Sequence, residues 1–333
     1  MSCNLAIAGV TGAVGQEFLK ILEQRDFPFN NAKMLASHRS AGKKIQFKGR
    51  EYTVEELTKD SFKGIDIALF SAGSSRSKQF ADAVVKAGAV MVDNSSAFRM
   101  DPQTPLVIPE INPEKIKEHK GIIANPNCST IIGIVPVWPL HRKNPVKRMI
   151  VSTYQAASGA GFTAMKELET QSREVLEGKE PTCEAFKYPI AFNVFCHDSD
   201  IGENGYNVEE MKMVKETHKI FDTTDIGITC TCVRIPVFRA HCESINLEFS
   251  NPISEQEVRD ILSDAPGVKI IDDRENNRFP MPIDATDKDD VLVGRIRRDE
   301  SIPDNRGINL WVAGDQLRKG AALNAVQIAE QLL

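Results

Sequence analysis

Short apolar runs alternate with stretches of helical spacing through the first third of the chain. Residues 5–8 read as a buried strand, a glycine turn follows, and residues 16–23 carry the 3.6-residue period of a helix. Residues 32–37, 65–70, 90–93 and 122–124 are further strand-like runs. Residues 76–87 form the helix between the third and fourth strands, and Gly88 stops it. Strands and helices alternating at this spacing predict an α/β fold with a parallel, doubly wound sheet.

The texture changes near Met149. Residues 149–154 read as a strand, 162–176 as a long amphipathic helix ending near Gly178, and 211–221 as another helix. β-Branched alternation over 226–236 and 244–249 suits a mixed or antiparallel sheet, so an α+β domain follows the first fold. Residues 317–333, rich in Ala and Leu at helical spacing, are expected to return to the first domain. The expected division is residues 1–128 with 315–333, then 129–314. Residues 183–207 show no regular period.

Composition narrows the function classes. The 333 residues, 41 % hydrophobic and 26 % charged, can bury two cores. Every apolar run falls short of the roughly 18 residues a membrane span needs. The start of the chain lacks the basic and long apolar stretches of a signal peptide, so a cytosolic location is expected. The net charge is −5, and basic residues cluster only in short pairs such as Lys43–Lys44 and Arg297–Arg298. Neither nucleic acid nor membrane is therefore expected as a partner. Seven cysteines (Cys3, Cys128, Cys183, Cys196, Cys230, Cys232, Cys242) form no Cys-x-x-Cys pair. Cys230 and Cys232 alternate on a predicted strand. They could be a metal or redox pair, but with no second pair nearby two small apolar side chains facing a core are expected.

Candidate chemistry begins at the first turn. Gly9-Val10-Thr11-Gly12-Ala13-Val14-Gly15 follows the first strand and opens a helix. Glycines there permit a tight turn and close backbone approach to a pyrophosphate, which the helix N-terminus then receives. This is the Rossmann-type dinucleotide pattern in its required context. The second strand ends in Ser37-His38-Arg39-Ser40, with Lys43 close behind, where an NAD-specific site would usually carry an acid. A guanidinium flanked by hydroxyls suits a 2′-phosphate, so NADP(H) is the expected cofactor. Ser71 and Gly73 close the third strand and are further cofactor candidates.

Asn125-Pro126-Asn127-Cys128-Ser129-Thr130 runs from a strand end into an apolar helix. Pro126 blocks helix before it, so Cys128 is expected at a helix N-terminus, where the dipole favours a nucleophilic thiolate. Its own N–H and the Asn127 side chain could hold a developing oxyanion. A thiolate beside a nicotinamide suggests attack on an acyl phosphate, a thioester, and hydride reduction to an aldehyde. Of the six histidines, His241 sits where a strand broken at Pro236 gives way to the next, at a sheet end facing a cleft. The other five lie in turns or helices without comparable company.

Taken in order, these segments resemble the bacterial aspartate-semialdehyde dehydrogenases over essentially the whole chain. The matching pieces are the glycine turn, Asn94-Ser95-Ser96-Ala97-Phe98-Arg99, residues 125–130 and Tyr154-Gln155-Ala156-Ala157-Ser158-Gly159-Ala160-Gly161. Glu209-Glu210-Met211-Lys212, residues 234–241 and Leu317-Arg318-Lys319-Gly320-Ala321-Ala322 complete the set. The resemblance implies NADPH-dependent reduction of L-aspartyl 4-phosphate to L-aspartate 4-semialdehyde, on the route to lysine, threonine, methionine and isoleucine. It implies Cys128 as nucleophile, His241 as proton acceptor and donor, and Gln155 beside the thiol, orienting the substrate. Arg99, Asn127 and Lys212 would address phosphate, Arg234 the α-carboxylate and Glu209 the α-ammonium group. Thr11, Gly12, Ala13, Val14, Arg39, Ser40, Ser158, Gly159 and Gln316 would touch NADP(H). A homodimer built through the second domain, with a tetramer as the alternative, and no metal complete the expectation.

One stretch departs from the pattern. In residues 194–205, Cys196, His197, Asp198 and Asp200 can be read as metal ligands, but a variable surface or interface loop is expected. The competing readings are a reductase of N-acetyl-γ-glutamyl phosphate, a glyceraldehyde-phosphate-type dehydrogenase, a redox-sensing NADPH-binding regulator and a cysteine hydrolase. The first has no substrate ammonium for Glu209. The regulator leaves Gln155, His241 and Arg234 unused, and the hydrolase has no use for the glycine turn.

Overall fold

Strand β1 (Cys3–Ala8) is buried almost throughout because strands pair with both its edges and apolar side chains cover both its faces. The structure, a computed structural model, describes residues 2–333. They divide into two compact units, one holding residues up to 127 together with 321–333, the other residues 128–320.

In the first unit, β1 leads through the glycine turn into α1 (Ala13–Gln24) and β2 (Phe29–Ala36). A hairpin of β3 (Lys44–Phe47) and β4 (Arg50–Thr53) follows, then β5 (Glu55–Glu56), β6 (Ile67–Phe70), α2 (Ser74–Lys86), β7 (Val90–Asp93) and β8 (Ile122–Ala124). The sheet order is β5-β2-β1-β6-β7-β8, every pairing parallel. Alternation along β1 feeds two cores. Leu5 and Ile7 join Phe18, Ile21 and Leu22 of α1 and a C-terminal helix, while Ala6 and Ala8 join Phe70, Phe80 and Val84 on the other face. Gly88 follows α2 at φ +83°, the left-handed step that ends a helix. The hairpin turn, at Lys48 (φ 46°) and Gly49 (φ 71°), was not evident from the polar character of this segment.

The second unit opens on α3 (Cys128–Lys143), then β9 (Val146–Gln155), α4 (Phe162–Leu176), β10 (Phe195–Cys196), α5 (Val208–Phe221), β11 (Gly227–Arg234) and β12 (His241–Phe249). After these come α6 (Glu255–Ser263), β13 (Val268–Ile270), α7 (Pro282–Ala285), β14 (Val291–Arg298) and β15 (Gly307–Gly314). Its sheet runs β10-β11-β9-β12-β15-β14-β13 and is mixed, with β9–β11 and β13–β14 parallel and the remaining pairs antiparallel. Helices α3, α5 and α6 pack against this sheet. Residues such as Ser152, Tyr154, Ser244 and Trp311, which alternate with the buried positions, are only half-buried.

The last segment is not one helix. Residues 318–322 form a π-helical turn before α8 (Leu323–Glu330), whose Leu323, Val326 and Ile328 fill the first unit's core. Within the second unit, Gly320 N donates to Asp315 O at 3.1 Å, the i→i−5 bond of this turn, and a Cβ on Gly320 would lie 3.0 Å from Cys128 Cβ. Among the described residues, no helix is long and apolar enough to cross a membrane.

Candidate active site

Cys128 is the first residue of α3, so its sulfur sits at the positive end of the helix dipole. Its Sγ lies 3.6 Å from Nε2 of His241. His241 opens β12 and is wholly buried, not turned toward an open cleft as its place in the sequence suggested. Its Nδ1 accepts the Ala156 N–H at 3.0 Å, which leaves the single proton of a neutral imidazole on Nε2, facing the sulfur. Burial and the nearby Arg234 charge push the imidazole down to about 3, so the ring is neutral across the ordinary pH range.

The outermost row of the sheet carries the rest of this cluster. Gln155 and Arg234 are register partners at the ends of β9 and β11. Gln155 Nε2 donates to Glu209 Oε1 at 3.2 Å, and Lys212 Nζ donates to Glu209 Oε2 at 2.8 Å. Glu209 and Lys212 lie one turn apart on α5, whose N-terminus is set by a capping box between Asn207 and Glu210. Arg234 is buried, and its Nη1 donates to Ala156 O at 3.1 Å. Gly159 leaves room for Arg234 and His241, since a Cβ there would approach Arg234 Nη1 to 2.8 Å and His241 Cε1 to 3.1 Å and push the guanidinium aside. Gln316 is a brace. Its Nε2 donates to Ser158 Oγ and its Oε1 accepts the Ala240 N–H at 2.8 Å, holding the residue before His241. Ala240 itself takes φ 73°.

In the first unit the glycine turn packs on the end of β6. A Cβ on Gly9 (φ +83°) would meet Ser71 O at 2.1 Å, and one on Gly15 would meet Gly9 O at 2.2 Å. Only glycine permits this crossing. Gly12 is the N-cap of α1 and offers no side chain to cap it, so the helix end stays available to an anion beside Thr11, Ala13 and Val14. Ser37, exposed Arg39 and Ser40 lie on the short turn after β2, and Gly73 (φ 90°) caps α2 just beyond Ser71. Since β1, β2 and β6 are parallel, all these residues stand at the carboxyl edge of one sheet. Arg99 donates from Nε to Asn125 O and from Nη2 to Asn94 O, both at 2.9 Å. Asn125 also links Asn94 and Asn324, and Asn94 Nδ2 is buried with no hydrogen-bond partner. Asn127 is buried at the end of this unit.

Residues 4–119 match the family model for the semialdehyde dehydrogenase NAD binding domain, and residues 137–319 match that for the semialdehyde dehydrogenase dimerisation domain. Curated aspartate-semialdehyde dehydrogenases are similar along their whole length. The protein from Synechocystis is 57 % identical, the alignment covering 99 % of this chain and 97 % of that protein. The one from Bacillus subtilis is 48 % identical over 99 % and 97 %. The chain belongs to the aspartate-semialdehyde dehydrogenase family.

Among solved structures of the family, aspartate semialdehyde dehydrogenase II from Vibrio cholerae, complexed with ASA, has TM-score 0.96 and 44 % identity. The match covers 100 % of this chain and 98 % of that one. The chain is accordingly an enzyme of this family, with a domain of NAD-binding type.

Two features of the second unit escaped the sequence. His197, assigned to a variable loop, lies 3.0 Å from Arg234. Among the described residues, no three His, Cys, Asp or Glu side chains converge on a metal-sized site, and Cys196 is exposed. Glu243, on the same face of β12 as His241, is wholly buried with neither carboxylate oxygen bonded. It stands in register with Thr153, which is itself in register with Cys232. Cys230 and Cys232 are both buried with their sulfurs 3.6 Å apart and unbridged, as small core residues.

Burial, with the Cys232 thiol adding to it, holds the Glu243 carboxyl well above the usual carboxylate range. The fold therefore keeps it protonated where the unfolded chain would ionise. Its contribution is intact below about pH 4.3 and is lost as pH rises toward the folded-state value, at up to about 1.4 kcal/mol per pH unit. Glu243→Gln should remove this slope. In urea titrations the variant's stability relative to wild type should climb between pH 5 and 7. A constant difference would mean that Glu243 is already ionised in the folded enzyme.

Proposed function

We propose that the enzyme reduces L-aspartyl 4-phosphate to L-aspartate 4-semialdehyde, reversibly and with NADP(H), through a thioester on Cys128, as a step in making lysine, threonine, methionine and isoleucine. The observation that carries this reading is the pairing of a helix-N-terminal thiol with a buried neutral imidazole whose N–H faces it.

The Cys128 thiolate adds to the acyl carbon, the C–O bond to phosphate breaks, and a thioester and inorganic phosphate result. When bound, the reduced nicotinamide supplies a hydride to the thioester carbonyl carbon. The C–S bond then breaks, returning the thiolate and releasing the aldehyde. His241 Nε2–H can follow the negative charge as it moves between sulfur and the tetrahedral oxygen, and Nε2 takes up the thiol proton, to return it later, only when the ring's own proton sits on Nδ1 and the Ala156 bond is given up. The resting hydrogen bonds make His241 a donor first, because its Nδ1 is engaged with Ala156. Cys128 N–H and Asn127 are the remaining oxyanion candidates.

The substrate bears a carboxylate, an ammonium and a phosphate. Arg234 is suited to the carboxylate by its buried, planar fork, and Glu209 to the ammonium group. Gln155, bonded to Glu209, would orient the substrate beside the thiol. Lys212, Arg99 and Asn127 offer cationic and amide donors to phosphate, and the buried, unpartnered Asn94 Nδ2 supports an anion near Arg99. The crossing at Gly9 and Gly15 and the uncapped α1 fit a dinucleotide pyrophosphate. Ser37, Arg39 and Ser40, with no acid among them, fit a 2′-phosphate. Ser71, Gly73, Ser158, Gly159 and Gln316 belong to the same reading. The half-buried polar and aromatic sheet positions at Ser152, Tyr154, Ser244 and Trp311, together with the match to a dimerisation domain, support a homodimer.

The deciding experiment is phosphate-dependent reduction of NADP by purified enzyme, comparing L-aspartate semialdehyde with N-acetylglutamate semialdehyde. Turnover of the first alone is expected. Turnover of the second alone would discard the substrate assignment and the role of Glu209. In the same assay, Arg39→Ala should weaken NADPH about ten- to hundredfold and NADH about threefold or less, the loss of a charge-assisted contact. Equal losses would remove Arg39 from 2′-phosphate recognition.

A further inference from the structure

The segment 194–205 is anchored by Phe195, packed against the small cluster of Leu168, Phe186 and Ile190, and it reaches the row that holds Arg234. Phe195 and Cys196 form β10, paired antiparallel with Arg234 and Val233 of β11. The His197 N–H then donates to Cys232 O at 2.8 Å. These backbone bonds bring the His197 ring beside the guanidinium, with Nε2 3.0 Å from Arg234 Nη2.

We propose that His197 is a positioning residue for recognition of the substrate's α-carboxylate, accepting from Arg234 as a neutral imidazole and linking that guanidinium to the helix that carries Glu209. The inference rests on the reading of Arg234 as the carboxylate clamp.

The hydrogen bonding specifies the tautomer. Arginine has only donors, so Nε2 must accept and the ring proton must sit on Nδ1. Nδ1 lies 3.1 Å from Ser199 Oγ, which in turn receives the Glu209 N–H at 3.2 Å. The Ser199 N–H also points at Nδ1, at 3.2 Å, but a neutral ring cannot accept at both nitrogens, and the charged partner prevails. Arg234, His197, Ser199 and the first turn of α5 thus form one chain from the carboxylate reader to the ammonium reader.

The guanidinium is held on three sides. Nη1 is bonded to Ala156 O, Nη2 to His197, and the group lies 5.6 Å from the centroid of the Phe186 ring. Nε is buried with no hydrogen-bond partner, and it remains for an incoming carboxylate. A neutral acceptor suits this place better than an acid would. Asp or Glu there would orient the fork but also neutralise it and compete with the substrate's own carboxylate. The charged groups around the ring are Arg234 on β11, Glu209 and Lys212 on α5, and the adjacent Asp198. Burial and Arg234 lower its basicity, while Glu209 and Asp198 act the other way.

The test compares L-aspartate semialdehyde with 3-aminopropanal, which lacks the carboxylate, in the oxidative direction with phosphate and NADP. His197→Ala should raise KM for aspartate semialdehyde about tenfold or more, the loss of one hydrogen bond to a charged group, with kcat changed less than about threefold. kcat/KM for 3-aminopropanal should stay unchanged, so discrimination shrinks. His197→Gln, whose amide oxygen can accept from Arg234, should recover most of it. If the alanine variant fails to fold, His197→Leu fills the volume without an acceptor and should show the same loss. Unchanged discrimination, or equal losses on both substrates, would overturn the proposal. Arg234→Ala separates the two levels. If it collapses discrimination while the His197 variants do not, only the role of His197 fails. If it too leaves discrimination intact, the carboxylate clamp fails with it.

Discussion

Cys128→Ala is expected to lower turnover by about 10⁴-fold or more while leaving NADPH affinity nearly unchanged, because no other side chain can form the acyl-enzyme bond. Cys3, Cys230, Cys232 and Cys242 are buried, and Cys183 and Cys196 are exposed. Removing Sγ should disturb packing little, since the residue is half-buried and backed by Gly320. Steady-state rates paired with fluorescence titration of NADPH provide the measurement. A variant retaining more than a few per cent of activity would sink the thioester scheme. Cys128→Ser is a second check, keeping nearly the same shape but a far poorer nucleophile.

The next largest effect belongs to His241. Replacement by Asn is expected to cut kcat by about 10²- to 10⁴-fold, the usual weight of a positioned proton donor or acceptor. Its depressed basicity adds a second readout. Burial first, and then Arg234, keep the folded ring neutral down to about pH 3, whereas the unfolded chain binds a proton near 6.5. The His241 contribution to stability is present above pH 6.5 and is lost as pH falls from there toward 3. Relative to wild type, the Asn variant should therefore gain stability at pH 5 compared with pH 7.5. Activity of the wild type should also show no acid limb near 6.5 arising from this ring. A limb there that vanishes in the Asn variant would show that His241 titrates normally and that the tautomer argument is wrong.

Much of the fold was legible because it rests on local rules. The helix over 162–176 followed from periodicity alone, and its observed bounds are Phe162–Leu176. The helix start at Cys128 followed from Pro126 and the small residues after it. The glycine turn was legible for the same reason, since a missing Cβ is a property of the chain at that point. The last helix was less so. Its π-helical turn at residues 318–322 holds Gly320 close against Cys128, a contact across most of the chain's length that periodicity cannot register.

His197 and Glu243 mark the limit most clearly. Nothing adjacent in the chain singles out His197, and its partner Arg234 is reached only because a two-residue strand pairs with β11. Glu243, between Cys242 and Ser244, carries no sequence mark of burial, and only helix packing at Gly133, where a Cβ would come within 2.5 Å of its Oε2, reveals a carboxyl sealed from water.

The sequence by itself determined the residue types, the parallel α/β order, the glycine turn and the place of Cys128 at a helix start, because each depends on residues close in the chain. Tertiary structure decided the protonation and orientation of those groups. The neutral Nε2–H form of His241, the aim of Arg234 and the bonding of Glu209 come from burial and from atoms far apart in sequence, brought together at one end of the second sheet.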